Sequence, residues 1–236
     1  MGKIFDARYI WVYFFDILKG SNTAVLITLT AFFAGVVIGL LAALVKIKKI
    51  PVLSQCVTFY TSFIRGTPLL VQLFLAYYGL PIFLNFLNET YGWDLNVRSI
   101  PALAYALVVF SINTGAYLTE TIRGAIEAVE IGQYEAAYSI GMTNQQTFRR
   151  IVLPQAFLVA LPNLGNTIIA LLKDTSLAYV ITVMEIMGSA RRAAGQSYRY
   201  FEAFVAAAII YWAICIVMEI AVSRFEKRML RKRGLL

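Results

Sequence analysis

Polar side chains set at helical spacing inside apolar runs are the residues of this chain most able to do chemistry, because lipid tolerates them only beside a partner, a cavity or water. In segment 100–122, Asn113, Tyr117 and Glu120 recur at i, i+4 and i+7 and so share one helix face. Asn163, Asn166, Ala170 and Lys173 do the same in and just beyond 151–172. In 52–87, Arg65 and Gln72 flank Gly66-Thr67-Pro68, a natural break because proline lacks an N–H and disfavours helical geometry before it. Three such stripes could converge on one cavity. A zwitterion needs a cation or a helix N-terminus for its carboxylate and carboxylates or carbonyls for its ammonium, and this set supplies both.

Plainer readings stand beside each residue. Glu120 and Arg123, at i, i+3, could merely lock the cytoplasmic end of a span. Arg65 could hold the broken backbone, and Lys173 and Asp174 could snorkel or cap at an outer end. Asn163 and Asn166 could bond across helices as packing contacts. Catalysis is not indicated. The chain has no histidine, which excludes His-based triads and His-ligated metals, and Cys56 and Cys215 sit in apolar segments without metal-ligand spacing. No catalytic and no metal-binding residue is expected.

The elements that must position these residues are membrane helices. Of 236 residues 60% are hydrophobic and 14% charged, against roughly 25% charged in soluble domains. The mean hydropathy is +0.71. Residues 24–45 carry no charge and cover a bilayer core of about 30 Å. The expected architecture is a single all-α integral membrane domain, 1–236, with five transmembrane spans at about 22–45, 52–87, 100–122, 151–172 and 203–223. The second span would reach about 54 Å if straight, so it must break near 66–68. Leu177–Gly188 is apolar but short, and reads as a re-entrant or interfacial helix. Residues 1–20 read as an interfacial segment without a cleavable signal.

The net charge of +8 follows the membrane rather than nucleic acid. Lys46, Lys48 and Lys49, the 123–150 loop, and the tail Arg224, Lys227, Arg228, Arg231, Lys232, Arg233 fall on one side by parity and hold twelve of the 21 basic residues. That side is expected to be cytoplasmic, with the N-terminus outside and the C-terminus inside. Arg191, Arg192 and Arg199 then lie outside, where they contact a partner, lipid headgroups or solvent.

The 123–150 loop reads as helix, glycine turn, helix. Gln133–Ile140 is good helix material, Gly141 suits a left-handed helix end, and Thr143-x-x-Gln146 has the form of a capping box. Here GQYEAAYSIGM (132–142) and IVLPQA (151–156) resemble the Glu-Ala-Ala signature of membrane subunits of type I ATP-binding-cassette importers. RGTPLLVQL (65–73), AYLTETIRGAI (116–126) and LLKDTSLA (171–178) resemble the polar amino-acid permease branch of that family, a likeness running over about 20–225. The resemblance implies the type I permease fold, with the loop as a coupling helix seated in a separate cytoplasmic ATPase subunit through Glu135, Ala136, Ala137 and Gly141. It further implies two ATPase copies, a second permease subunit, identical or related, and an extracytoplasmic amino-acid-binding protein. ATP and Mg would then sit on the partner ATPase and no cofactor on this chain, which has no P-loop string. The expected function is import of a polar amino acid by alternating access. A purely cationic substrate is disfavoured by the few acidic residues within the spans; glutamine, histidine-like and cystine-like ligands stay open. A stand-alone secondary transporter or channel is the alternative. An intramembrane enzyme lacks a Ser/Lys, paired-aspartate or metal constellation.

Overall fold

A computed structural model describes residues 5–96, 99–195 and 197–231. Lys232 and Arg233 of the basic tail lie outside the described residues. Within them the fold is all helical: α1 (Arg8–Leu18), α2 (Ser21–Ile47), α3 (Leu53–Gly66), α4 (Leu69–Tyr91), α5 (Ala102–Glu127), α6 (Ile131–Ser139), α7 (Asn144–Ile181), α8 (Ile186–Gly195) and α9 (Tyr200–Arg231). Five of these, α2, α4, α5, α7 and α9, are long and apolar enough to cross a membrane.

Proline chemistry shapes several of them. Pro68 separates α3 from α4, so the long second apolar run is a short helix followed by a spanning one. Inside α4 and α7 the helix widens to π geometry at Leu75–Gly79 and Phe148–Val152. Pro81 and Pro154 each follow two residues later. A proline four residues beyond a carbonyl can neither donate to it nor tolerate it closely, and the wider turn relieves both problems. Because that turn is continuous, α7 starts at Asn144 rather than near 151, and the second half of the 123–150 loop forms the first turns of a spanning helix.

α2 and α5 pack face to face through small residues. A Cβ on Gly35 would come within 2.7 Å of Thr114 Cγ2, and one on Gly39 within 3.0 Å of the Leu118 backbone. Gly115 of α5 similarly admits Ile38. The Gly35-x-x-x-Gly39 spacing allows this approach, as in other membrane helix pairs.

Leu177–Gly188 does not form one helix. Thr175–Ile181 tightens to 3₁₀ geometry, Thr182 turns left-handed at φ 67°, and α8 begins at Ile186. The fully buried Glu185 starts α8. Its carboxylate accepts from the amides of Met187 and Gly188, both at 2.8 Å, and from the Tyr211 hydroxyl of α9 at 2.6 Å. A carboxylate at a helix N-terminus is favoured by the orphan amides and the macrodipole there. The N-terminal segment forms α1, whose Tyr13 and Ile17 pack with Ile186 and Ala190 of α8 and Ala203 and Ala207 of α9. Arg199 ties this corner, lying 4.3 Å over the Tyr9 ring and bonding Glu202 at 2.9 Å. Arg191 stacks on Tyr179 at 5.0 Å, and Arg192 is exposed.

Candidate functional site

The break between α3 and α4 organises the site. Thr67 and Pro68 are extended, and Pro68 has no N–H for the carbonyl of Ile64 four residues earlier. Gln72, buried one turn into α4, supplies that donor: its Nε2 lies 2.8 Å from the Ile64 carbonyl, 3.0 Å from the Thr67 carbonyl and 2.9 Å from Thr67 Oγ1. Its Oε1 accepts from Asn113 Nδ2 of α5 at 3.0 Å. One amide side chain thereby closes the break and fixes Asn113.

In front of this arrangement opens a cavity of about 580 Å³, within the range of about 300–1,000 Å³ usual for small-molecule sites. Residues 65–69 form one wall, Asn113, Thr114 and Tyr117 of α5 a second, and Thr167, Ala170, Leu171, Asp174 and Leu177 of α7 the third. The Arg65 guanidinium lies 5.5 Å over the Tyr117 ring, so an aromatic face steadies the cation. Asp174 stands on the α7 wall, and among the described residues no ion pair engages either Asp174 or Arg65. Opposite charges on separate walls, with amide and hydroxyl groups between, can hold a ligand carrying both signs.

Of the residues singled out from sequence, the structure brings Arg65, Thr67, Asn113 and Tyr117 to the cavity and Gln72 directly behind it. Glu120 is elsewhere. It binds Lys46 of α2 at 2.6 Å and Arg123 at 2.9 Å, and Arg123 reaches Glu127 at 2.5 Å. Its place near the end of α5 brings it to the close of α2 rather than to the cavity. Asn163, Asn166 and Lys173 also miss the lining and are exposed on the adjoining face of α7. The lining face is Thr167, Ala170, Asp174, at i, i+3 and i+7, one residue round from the expected stripe and sharing only Ala170 with it. That spacing was available in the sequence. Asp174 escaped because its place beside Lys173 read as an outer-end cap, whereas α7 continues to Ile181 and keeps Asp174 within the helix wall.

The 123–150 loop is built by local chemistry. α6 ends with Gly141 at φ 80°; the Gly141 amide donates to Tyr138 and the Met142 amide to Ala137, at 2.9 and 3.1 Å, the two bonds of a glycine helix terminus. Thr143 then caps α7 reciprocally with Gln146, at 2.9 and 3.3 Å. Ala137 is buried, while Glu135, Ala136 and Gly141 are exposed. Partial burial raises the Tyr134 phenol above its ordinary pKa. Tyr134 packs on a cluster of Ala125, Ile126 and Val129 with Val152, Ala156 and Ala160, which seats α6 on the ends of α5 and α7. Ile131 and Ile140 remain 75% and 78% exposed at the two ends of α6, with Tyr138 exposed between them.

Residues 35–231, which contain both the cavity and this loop, match the family described as binding-protein-dependent transport system inner membrane component. The chain belongs to this family. The permease is 40% identical to the probable amino-acid permease protein YxeN of Bacillus subtilis (strain 168), over 90% of this chain and 91% of the relative. It is 39% identical to the L-cystine transport system permease protein TcyL of the same organism, over 87% of this chain and 83% of the relative. A solved amino acid ABC transporter crystallised with histidines superposes at a TM-score of 0.82 and 34% identity, covering 96% of this chain and 100% of that one. A chain of the MetNI methionine ABC transporter in an inward-facing conformation, 17% identical, shares the fold at a TM-score of 0.70 over 91% of this chain and 96% of that one. The architecture is therefore the ABC-importer permease fold, in a multi-pass protein of the inner membrane.

Proposed function

We propose that this permease carries a polar amino acid inward across the cytoplasmic membrane, with the ligand held in the Arg65–Asn113–Asp174 cavity. The carrying observation is that cavity. Arg65 faces the ligand carboxylate, Asp174 its ammonium, and Asn113, fixed by Gln72, orients it between them. The names of the similar permeases, for amino acids in general and cystine in particular, support this substrate class.

The power source is a separate ATPase subunit, in two copies, which holds ATP and Mg; this chain contributes no nucleotide site and no catalytic residue. The apolar Ile131, Tyr138 and Ile140 around α6, with Glu135 and Ala136 on the same exposed helix, are the docking surface for it. A second permease subunit, identical or related, covers the exposed Asn163, Asn166 and Lys173 of α7, because such side chains do not face hydrocarbon. An extracytoplasmic binding protein delivers the substrate. The loop bearing α6 and the C-terminus are cytoplasmic, and the N-terminus is outside. Binding protein, substrate and nucleotide each favour different states of the pair, which is what alternating access requires.

Gentle purification of the tagged chain from its native membrane, with mass spectrometry of what accompanies it, tests this assembly. Recovery of a P-loop ATPase, and ATP-dependent uptake of radiolabelled polar amino acids by the reconstituted complex, is the expected result. A solitary chain that transports without ATPase would overturn it.

A further inference from the structure

The cytoplasmic end of α9 carries charge in a pattern that import does not use. Arg224, Lys227, Arg228 and Arg231 stand at i, i+3, i+4 and i+7, within an arc of about 100° on the helix surface. All four are exposed, and between them lies a concavity of about 520 Å³ lined, among the described residues, by these side chains. The carboxylates of the same stretch, Glu219 and Glu226, are seven residues apart and fall on the opposite side of the helix. Among the described residues no ion pair neutralises any of the four cations. Phe225, half exposed, lies beside the stripe.

Depth says what the stripe meets. From Tyr200, an aromatic suited to the outer interface, to Arg224 is about 36 Å of helix, against a hydrocarbon core of about 30 Å. The four residues then climb through about 10 Å, the level of lipid phosphates. A cationic face without internal carboxylates, at phosphate depth and flanked by an apolar ring, is complementary to a lipid with an anionic head and an acyl chain.

We propose that this face is a binding site for an anionic phospholipid, whose headgroup phosphate sits among Arg224, Lys227, Arg228 and Arg231 while its chain lies along Phe225. Assignment to the cytoplasmic leaflet rests on the orientation given above; the phosphate site itself does not. Each basic residue near such a surface changes the association constant about fivefold.

The test uses the full chain, purified with its co-purifying subunits in neutral detergent and titrated with phosphatidylglycerol or phosphatidylcholine, with bound lipid counted by native mass spectrometry. Selective retention of phosphatidylglycerol is expected, undisturbed by inorganic phosphate. R224Q/K227Q/R228Q/R231Q should weaken it more than a hundredfold. Because that variant also removes positive charge that sets insertion, E226K/K227E is the deciding one: it keeps composition and net charge but puts a carboxylate into the stripe, and should weaken retention about 25-fold. K48Q/K49Q, at the end of α2, should leave it unchanged. Equal retention by E226K/K227E and the parent, displacement by inorganic phosphate, or protection of the stripe only by the ATPase subunit in lipid-free preparations would each overturn the assignment. Loss of transport with retention intact would count against the importer reading alone.

Discussion

Replacing Gln72 by Leu removes the one side chain that both closes the α3–α4 break and holds Asn113. The Nε2 amide has two hydrogens to share among the Ile64 carbonyl, the Thr67 carbonyl and Thr67 Oγ1, so two full donor bonds and the bond accepted from Asn113 are lost. Polar contacts between membrane helices average about 0.6 kcal/mol each, giving about 2 kcal/mol for three. The Ile64 carbonyl, left without the donor that Pro68 cannot provide, adds about 1–3 kcal/mol. A loss of about 3–5 kcal/mol is expected, read from thermal unfolding of the purified chain in detergent, with uptake falling because Asn113 is no longer fixed. Pro68→Ala supplies the decisive control. It restores a backbone N–H four residues after Ile64, so Q72L should cost clearly less in a P68A background, with a coupling of about 1 kcal/mol or more. Strict additivity of the two substitutions, or Q72L unfolding with the parent, would refute this account of the break.

Asp174→Asn keeps the size of the side chain but removes the anion on the α7 wall; KM for uptake of a zwitterionic amino acid should rise about tenfold or more while the complex still assembles, and an unchanged KM would remove Asp174 from the site. Gly141→Asn tolerates the left-handed turn, yet places a side chain where the free chain has open space; substrate-stimulated ATPase of the complex should fall although the chain inserts normally, and full activity would mean that only the turn matters. Glu185→Ala strands the Tyr211 hydroxyl and two α8 amides inside the protein and should cost about 3 kcal/mol or more of thermal stability, measured in detergent; a stable variant would deny the buried carboxylate its capping role. Gly39→Ala should destabilise by about 1–3 kcal/mol by driving α2 from the Leu118 backbone, whereas Gly124→Ala, with open space at its Cβ, should not.

What could be read from the sequence divides along the range of the forces involved. The Gly141 terminus and the Thr143–Gln146 box are set by neighbours within six residues, and both form as their residue types require. The break at Pro68 is equally local. Which face of a long helix meets a cavity is a tertiary question, decided by rotation of the helix against its neighbours. Hence Asp174 rather than Lys173 faces the cavity on α7, and of the α5 stripe Asn113 and Tyr117 line it while Glu120 turns to Lys46 of another helix, which captures the carboxylate. Glu185 illustrates the same limit. Its near partners are the Met187 and Gly188 amides, which any helix start offers, while Tyr211, the side chain it meets, lies 26 residues away. The Gly35–Gly39 spacing is a pairing signal that the reading of the spans passed over, and the structure shows its partner to be α5.

The arrangement also dictates how movement at the loop would reach the ligand. α6 sits on the cluster formed by the ends of α5 and α7, and each of those helices runs to a cavity wall, α5 to Tyr117 and Asn113, α7 to Thr167 and Asp174. Helices packed through Val152, Ala156 and Ile126 transmit tilt rather than absorb it, since close-packed contacts yield little. The third wall differs: Arg65 stands two residues before an extended Thr67–Pro68 joint that the Gln72 bonds bridge. A pull on α6 would therefore move the Asp174 and Asn113 walls as levers against the Arg65 wall. The Lys46–Glu120 bridge fastens α2 to α5 on that path, with Arg123 of α5 holding Glu120 in place. On the proposed function, the two charges that would grip a zwitterion would separate as the loop moves, linking release of substrate to the state of a partner at α6.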